Sequence, residues 1–134
     1  MLSESEISLV QGDWAKVQPI AEQAATLFYD RLFALDPSLR AMFKSDLAEQ
    51  RRKLLNMLSL AVAGLSDLSS LVPAVRSLGA RHVHYGVQPE HYDTVGAALL
   101  WTLGQGLGAG FDDVHAAAWS KTYGVLADVM KAAA

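Results

Sequence analysis

The stretch Arg81-His82-Val83-His84-Tyr85-Gly86-Val87-Gln88-Pro89 places a histidine near the end of a helix, just before a break in the chain. Steps of three or four residues connect Leu71, Val75, Leu78 and His82. This spacing predicts one helical stripe that is apolar except for His82. His84 is rotated about 200° away and cannot share that face. Gly86 is expected to end this helix, and Pro89 to begin the next.

The N-terminal third of the chain reads as helices separated by short turns. Ser3 and Glu6 form a capping box, which predicts a first helix from about Glu4 to Gln18. Pro19 is expected to open a second helix. Asp36-Pro37 is an N-cap followed by a first-turn proline, and only a short helix fits after it.

The remainder of the chain continues this helical pattern. A long helix is predicted from Leu47, and its apolar face is interrupted by Gln50. Ser69 or Ser70 is expected to cap the helix that carries His82, with Pro73 in its first turn. The glycine-rich segment 104–110 is predicted to turn the chain before a last helix capped by Asp112 or Asp113. No alternating strand pattern competes, so we predict an all-α domain over residues 1–134, with six to seven helices.

Composition excludes several classes of protein. The chain has 134 residues, 14 acidic and 11 basic side chains and no cysteine. It therefore lacks the basic block of a nucleic-acid binder, and it cannot form disulfides, thiolate metal sites or iron–sulfur clusters. The acidic N-terminus does not resemble an export signal, and the longest uncharged stretch is glycine-rich. We expect a cytoplasmic protein without a membrane span.

Four histidines are candidates for chemistry, at positions 82, 84, 91 and 115. A histidine taken alone is more often a surface or core residue than a ligand, and His115, in the first turn of the last helix, is expected to be solvated. His82 differs because its stripe is otherwise apolar. Zinc requires three or four ligands, and no partner is spaced to help His82. A single inward imidazole suits a haem, whose porphyrin already supplies four nitrogens.

Other motifs have ordinary structural explanations. Gly104-x-Gly106-x-x-Ala109 has the form of a dinucleotide fingerprint but follows a helix instead of a strand. The Asp112-Asp113 pair is better explained by capping than by acid–base chemistry. Gln50 can equally be a solvated first-turn residue, and Tyr29 a core tyrosine.

Taken together, the motifs resemble those of the bacterial single-domain globins of the flavohaemoglobin-like class. The likeness covers nearly the whole chain. It rests on Phe28-Tyr29, Asp36-Pro37, Phe43, Gln50-Arg51-x-x-Leu54, His82 seven residues before Pro89, His91-Tyr92, and Ala118-Trp119-x-Lys121-x-Tyr123-Gly124. The order and spacing of these elements are specific together. They imply a globin fold around haem b.

The resemblance also implies roles for individual residues. His82 matches the proximal iron ligand, Phe43 the aromatic that packs on the porphyrin, and Tyr29, Gln50 and Leu54 the distal wall. Arg81, Lys53 or His84 could each meet a haem propionate. The pocket is further expected to be lined by Met57, Leu78, Val87, Tyr92 and Val95.

The expected function is reversible, tight oxygen binding, for storage or transport. Tyr29 can donate an O–H and Gln50 an N–H to oxygen, each bond contributing on the order of 1–3 kcal/mol. Nitric oxide and carbon monoxide are further expected ligands. The enzymatic alternative is nitric oxide dioxygenation with a separate reductase. A haem-free helical interaction domain is the alternative from another class.

One departure from the family pattern concerns the proximal side. Flavohaemoglobin-like globins often carry a glutamate near the end of the last helix that strengthens the proximal histidine as a donor. The matching position here is Ala134. We therefore expect a milder donor, with the carbonyl of Leu78 as partner of the outer N–H of His82.

Overall fold

The computed structural model describes residues 2–43 and 46–133, and for His84 the backbone only. Within these ranges the chain forms six α-helices and four short 3-10 helices, with no strand. The α-helices are α1 Glu4–Val17, α2 Ala21–Leu35, α3 Leu47–Ala63, α4 Leu68–His84, α5 Pro89–Leu107 and α6 Asp113–Ala132. The 3-10 helices are Gln18–Ile20, Pro37–Met42, Gly64–Asp67 and Gly108–Gly110. The predicted all-α class is confirmed.

Several helices begin where capping chemistry predicts. The Ser3 hydroxyl accepts from the Glu6 backbone N–H at 3.1 Å, and the Glu6 carboxylate accepts from the Ser3 N–H at 2.8 Å. Asp36 caps the 3-10 helix that starts at Pro37. Asp112, not Asp113, caps α6. These bonds satisfy N–H groups that a helix start leaves without partners.

Two predicted helix starts are wrong. α2 begins at Ala21, because Pro19 lies in the preceding 3-10 turn. Pro73 lies inside α4 instead of at its start, since that helix already begins at Leu68. The cap residue of α4 is Asp67, whose carboxylate accepts from the hydroxyls of the two serines predicted as caps, Ser69 at 3.1 Å and Ser70 at 2.7 Å.

The predicted glycine-rich turn is shorter than expected. α5 continues through Gly104 and Gly106 to Leu107, and the chain turns only at Gly108–Gly110. Gly108 has a φ of +59°, a conformation that favours glycine. Isolated glycines weaken a helix by only about 1 kcal/mol each, so tertiary packing keeps this segment helical.

Helix packing forms one large core and one smaller core. α2 packs on α5, and α1 packs on α3, α5 and α6 to form the main core. A smaller core joins Ala61, at the end of α3, to Leu71 and Val75 of α4, and Leu126, Val129 and Met130 of α6 pack against it. Among the described residues, α3 and α4 are not a closely packed pair, although a 3-10 turn joins them. The predicted pocket residues Gln50 and Leu54 lie on α3, and Leu78 and His82 on α4. The region between these two helices is called the crevice below.

A buried carboxylate connects the first and last helices. Asp13 of α1 is 2% exposed, and its Oδ2 accepts from Trp119 Nε1 at 3.0 Å. The Nδ1 atom of His115 lies 2.7 Å from the same oxygen. The expectation that His115 is solvated is therefore wrong. Its position in the first turn of α6 faces α1, which the sequence pattern of α6 alone does not show.

The helical run Leu47–Val83 is long and apolar enough to cross a bilayer by length and composition, with a mean hydropathy of 1.6. Core helices of globular proteins pass the same test. This run changes to 3-10 geometry at Gly64–Asp67, and its two halves bound the crevice. The absence of a membrane span stays a prediction.

Candidate haem site

His82 lies near the C-terminal end of α4 with its ring partly buried. Its Nδ1 is 2.8 Å from the carbonyl oxygen of Leu78, so the predicted hydrogen bond is confirmed. Because a carbonyl can only accept, Nδ1 carries the proton and Nε2 keeps its lone pair. A metal-binding histidine needs this arrangement.

The charge state of His82 also suits a metal ligand. Burial lowers the pKa of the imidazole below its usual 6.5, the hydrogen bond to Leu78 opposes this shift, and the Arg81 charge adds to the lowering. The ring is therefore neutral at neutral pH. Neutral imidazole is the form that coordinates iron.

The chain bends sharply after His82. Gly86 has a φ of +84°, a left-handed conformation that glycine adopts without steric cost. This bend brings the Val87 N–H to within 3.1 Å of the His82 carbonyl oxygen. The left-handed conformation of Gly86 explains why the helix ends there, as predicted. The hydrogen bond holds the Val87 backbone close to His82.

α4 contacts the backbone of α6 directly, at Gly79 and Met130. A Cβ added to Gly79 would lie 2.4 Å from the Met130 carbonyl oxygen, a distance that real Cβ atoms do not show. Only glycine allows this approach, three residues before His82. The position of His82 relative to α6 is thus set by backbone contact.

Tyr92 and Tyr123 support the other side of His82. The Tyr92 ring is stacked near the imidazole, with centroids 6.4 Å apart and an interplanar angle of 25°. Tyr123 donates from its hydroxyl to the Tyr92 carbonyl oxygen at 2.6 Å. Gly96 makes room for the Tyr123 ring, because a Cβ there would lie 2.9 Å from its Cε2.

A cation approaches this aromatic pair. Lys131 Nζ lies 5.9 Å from the centroid of the Tyr92 ring, and 3.8 Å from a carboxylate oxygen of Asp128. Ala134, the position that matches the family's glutamate, lies outside the described residues. Within the described part of α6, the charge next to Tyr92 is positive.

Tyr29 of α2 is buried, with 6% of its surface exposed. Its hydroxyl donates to the backbone carbonyl oxygen of Gln50 at 3.3 Å. Burial raises the pKa of Tyr29 to about 12, and the nearby charge of Arg51 opposes this shift. The phenol therefore keeps its proton at physiological pH and remains a hydrogen-bond donor.

An aromatic cluster surrounds Tyr29. Its ring lies 5.1 Å from Phe28 and 5.4 Å from Phe43 in edge-to-face geometry, and 6.0 Å from Phe33. Phe43 directly follows the 3-10 helix Pro37–Met42 and is partly buried. The structure thus brings together Phe43 and Tyr29, to which the resemblance assigns packing on the porphyrin and a place in the distal wall.

The remaining predicted pocket residues lie on α3, α4 and α5 and on the turn between α4 and α5. Gln50 and Leu54 share one face of α3, and both are partly buried. Arg81 and Lys53 are exposed, and Lys53 pairs with Glu49 at 3.5 Å. The side chain of His84 lies outside the described part of the structure. The apolar residues expected to line the pocket are also partly buried: Met57, Leu78, Val87 and Val95.

A model of the globin family matches residues 26–130 of the chain, a range that includes most of α2 and all of α3, α4 and α5. The chain is a globin. It is 33% identical over 131 residues to the flavohemoprotein of Bacillus subtilis (strain 168), covering 96% of this chain but 33% of that relative. This globin thus corresponds to about a third of the relative's length.

One solved structure is similar to this globin over almost the whole length of both chains. It is an engineered carbene transferase, described as a nitric oxide dioxygenase from Rhodothermus marinus, with a TM-score of 0.88 and 26% identity. The match covers 98% of this chain and 92% of that chain. The predicted globin fold is confirmed.

Membership of the globin family implies a haem, and the crevice residues of this globin fit one. A neutral imidazole with a free Nε2 stands on α4, the partly buried apolar Leu54 and Met57 lie on α3, and the exposed cations Lys53 and Arg81 lie on the same two helices. A porphyrin needs this combination of one axial donor, an apolar cleft and cations for its two carboxylates.

A separate, small cavity lies beside the distal wall. Its volume is about 20 Å³, room for one molecule of the size of water. Of the predicted site residues only Leu54 lines it, so it is not the haem crevice. Its other walls are apolar side chains of four helices, including Trp14, Phe28, Leu58 and Leu103.

Several residues that shape this site have no role assigned to them from the sequence. Gly79, Gly96 and Tyr123 position the proximal side, and Arg51 brings a charge close to Tyr29. A glycine inside a predicted helix is a detectable signal, because it costs about 1 kcal/mol relative to alanine unless packing requires it. Nothing in local spacing predicts the Tyr123 bond, whose partner is 31 residues away.

Proposed function

We propose that this globin binds haem through Nε2 of His82 and holds oxygen reversibly, with Tyr29 and Gln50 as distal donors. The observation that carries this proposal is the pairing of a neutral His82, fixed by Leu78, with a buried Tyr29 whose raised pKa keeps its proton in place. Haem supplies an iron atom that binds diatomic gases.

Tyr29 has a single proton to donate. In this structure it goes to the Gln50 backbone carbonyl. An oxygen molecule in the pocket therefore competes with that carbonyl for the proton. The hydrogen bond to Gln50 is 3.3 Å long, near the upper limit for such a bond, so little is lost when the hydroxyl turns to a better acceptor.

The contacts of His82 on the proximal side favour reversible oxygen binding over cleavage of the O–O bond. The partner of Nδ1 is a neutral backbone carbonyl, which pulls the proton less strongly than a carboxylate. Lys131 places a positive charge beside Tyr92. His82 is therefore a moderate electron donor in the proposed complex.

Oxygen dissociation measured by stopped flow tests the distal roles. Tyr29→Phe and Gln50→Leu are each expected to speed oxygen release by about tenfold or more, the equivalent of one lost hydrogen bond in an apolar pocket. Thr26→Val, which removes an exposed hydroxyl from the same helix, is the control and should leave the rate unchanged. Wild-type release rates in both distal variants would contradict the proposal.

Nitric oxide dioxygenation is the second candidate function. The observation that favours it is the similarity to a flavohemoprotein and to a structure described as a nitric oxide dioxygenase. To separate oxygen binding from nitric oxide dioxygenation, nitric oxide is added to the oxygen-loaded globin and the nitrate formed per haem is measured. Continued turnover with an electron-donating reductase would identify an enzyme, whereas a single stoichiometric burst would favour the binder.

The visible spectrum of the purified protein tests the third alternative, a haem-free helical domain. A Soret band after haem reconstitution is expected. Its absence would overturn both haem-based functions.

A further inference from the structure

The outer side of α2 carries apolar residues that the rest of the chain does not cover. Leu27 is 37% and Leu35 is 43% exposed, and Ala34 is exposed as well. The opposite side of the same helix is buried in the main core and includes Phe28 and Leu32. α2 therefore has an apolar strip facing solvent in addition to its core-facing side.

Arg31 lies beside this strip and is positioned by an aromatic ring. Its guanidinium carbon lies 5.0 Å from the centroid of the Trp101 ring of α5. Its Nε atom is shielded from solvent and has no hydrogen-bond acceptor among the described residues. No described carboxylate lies within ion-pair distance of Arg31. Stacking on Trp101 thus orients a cation that the described part of its own chain does not neutralise.

Asp30 provides the opposite charge on the same helix. It is exposed and also has no ion-pair partner in the described ranges. Asp30 and Arg31 cannot pair with each other, because neighbours in sequence point about 100° apart around a helix. Leu27 and Ala34 lie in the arc between these two charges, about 40° to 60° from each.

The exposed face of α2 thus has an apolar centre, a negative edge and a positive edge. Here it is called the α2 surface and consists of Leu27, Asp30, Arg31, Ala34 and Leu35.

This charge arrangement is complementary to a second copy of itself. When two α2 helices pack in parallel about a two-fold axis, the positive edge of each helix meets the negative edge of the other, as in parallel coiled coils. Arg31 of each protomer then lies close to Asp30 of its partner, and Leu27 packs on Leu27. One symmetric contact pairs both charges twice. An antiparallel arrangement would instead bring like edges together.

We propose that the α2 surface is the interface of a symmetric homodimer in which the two α2 helices run parallel. α2 has 15 residues and is about 22 Å long, so the contact has the size of a transient complex, below about 1,200 Å². We expect a dissociation constant of about 10–100 µM for an interface of this size. Tyr29 lies on the buried side of α2, so dimer formation does not require the distal pocket or haem.

Sedimentation velocity tests the proposal on the whole 134-residue chain, with and without haem. The protein concentration is varied from about 5 to 500 µM, a range that brackets the expected dissociation constant. The sedimentation coefficient should rise from the value of a monomer to that of a dimer. A protein that remains monomeric at the highest concentration would overturn the inference.

Ala34→Glu locates the interface. The variant places two like charges against each other at the centre of the proposed contact and should weaken association at least about tenfold. Ala117→Glu is the matched control, because Ala117 is an exposed alanine of α6 outside the α2 surface. Equal weakening in both variants would show that net charge, not the α2 surface, controls association.

Charge exchange tests the reciprocal pairing of Asp30 with Arg31. Asp30→Arg and Arg31→Glu each turn two attractive contacts into two repulsive ones, so each alone should weaken association by about tenfold or more. An equimolar mixture of these two variants restores opposite charges at both edges and should associate more strongly than either variant alone. A mixture that associates as weakly as its components would exclude the pairing.

Two further results separate the dimer from other interpretations. A wild-type protein that stays monomeric but binds phosphatidylglycerol vesicles would assign the α2 surface to a membrane and overturn the dimer. Oxygen release from Ala34→Glu should equal that of wild type, because this variant changes only the outer side of α2. The apo protein can form the dimer even if the proposed oxygen function fails, so the two proposals are tested separately.

Discussion

His82 Nδ1 lies 2.8 Å from the carbonyl oxygen of Leu78, one helical turn earlier in α4. The ring is therefore held by its own helix, and no side chain from another element has to orient it. A single local bond thus fixes both the tautomer and the direction of Nε2.

His82→Ala is expected to abolish haem ligation while the helical fold is kept. The imidazole supplies the only axial nitrogen that we predict, and α4 tolerates alanine. Resonance Raman spectra should show no iron–histidine band, and added imidazole should restore one. His84→Ala is the matched control, and loss of the band there with retention in His82→Ala would reverse the assignment.

Gly79→Ala is expected to destabilise the protein by about 2 kcal/mol or more, the cost of overpacking a tight contact. The added methyl group would meet the Met130 backbone at 2.4 Å and force α4 away from α6. Urea denaturation of the apo and haem-loaded forms measures the loss. Weaker haem retention should accompany it, because His82 moves with α4.

Gly12→Ala is the matched control for this substitution. Gly12 lies inside α1 with no atom within 4 Å of an added Cβ. Alanine there should stabilise the helix by up to about 1 kcal/mol. Equal effects at the two positions would mean that helix propensity, not the contact with Met130, decides the result.

The sequence predicts this site well where the interactions are local. The stripe that ends at His82, the Leu78 partner and the shared face of Gln50 and Leu54 all follow from helical periodicity. Long-range contacts do not follow from helical periodicity. Asp13 and His115 are 102 residues apart, and no spacing rule brings them together.

The errors in helix boundaries have a similar cause. Pro73 falls inside α4 because the helix already begins at Leu68, after Asp67, and α5 continues through its glycines because packing outweighs their weak propensity. Propensity describes an isolated helix. In this globin, capping partners and neighbouring helices decide where each helix begins and ends.

Lys131→Met is expected to make His82 a stronger donor. The substitution removes the positive charge 5.9 Å from the Tyr92 ring, which stacks near the imidazole. The iron–histidine stretching frequency should rise and the ferric–ferrous potential should fall slightly. Lys121→Met removes a lysine of the same helix that pairs with Glu6 and serves as the control, and identical spectra in both variants would exclude a role for Lys131.

Asp13→Ala is expected to cost about 2–4 kcal/mol of stability. The variant leaves the buried Trp119 indole N–H without its acceptor at 3.0 Å and removes the partner of His115. Thermal unfolding of the apo protein measures the loss. Lys121→Ala removes only an exposed ion pair and should have a much smaller effect. A loss in Asp13→Ala no larger than in this control would contradict the role of the buried carboxylate.

Stability is expected to fall between pH 10 and pH 12 because of Tyr29. Burial raises the pKa of its phenol to about 12, above the value of 10.0 expected for an unfolded chain. The folded state then holds the proton more tightly, so this contribution is complete below pH 10 and is lost as pH rises towards 12. The full contribution to the free energy of unfolding is about 2–3 kcal/mol.

Denaturant titrations between pH 10 and pH 12 should show a shallower decline in stability for Tyr29→Phe than for wild type, whereas Tyr85→Phe, at an exposed position, should follow wild type. Equal slopes in all three proteins would show that the Tyr29 hydroxyl is not sequestered from solvent, and the distal donor assigned to it would lose its physical basis.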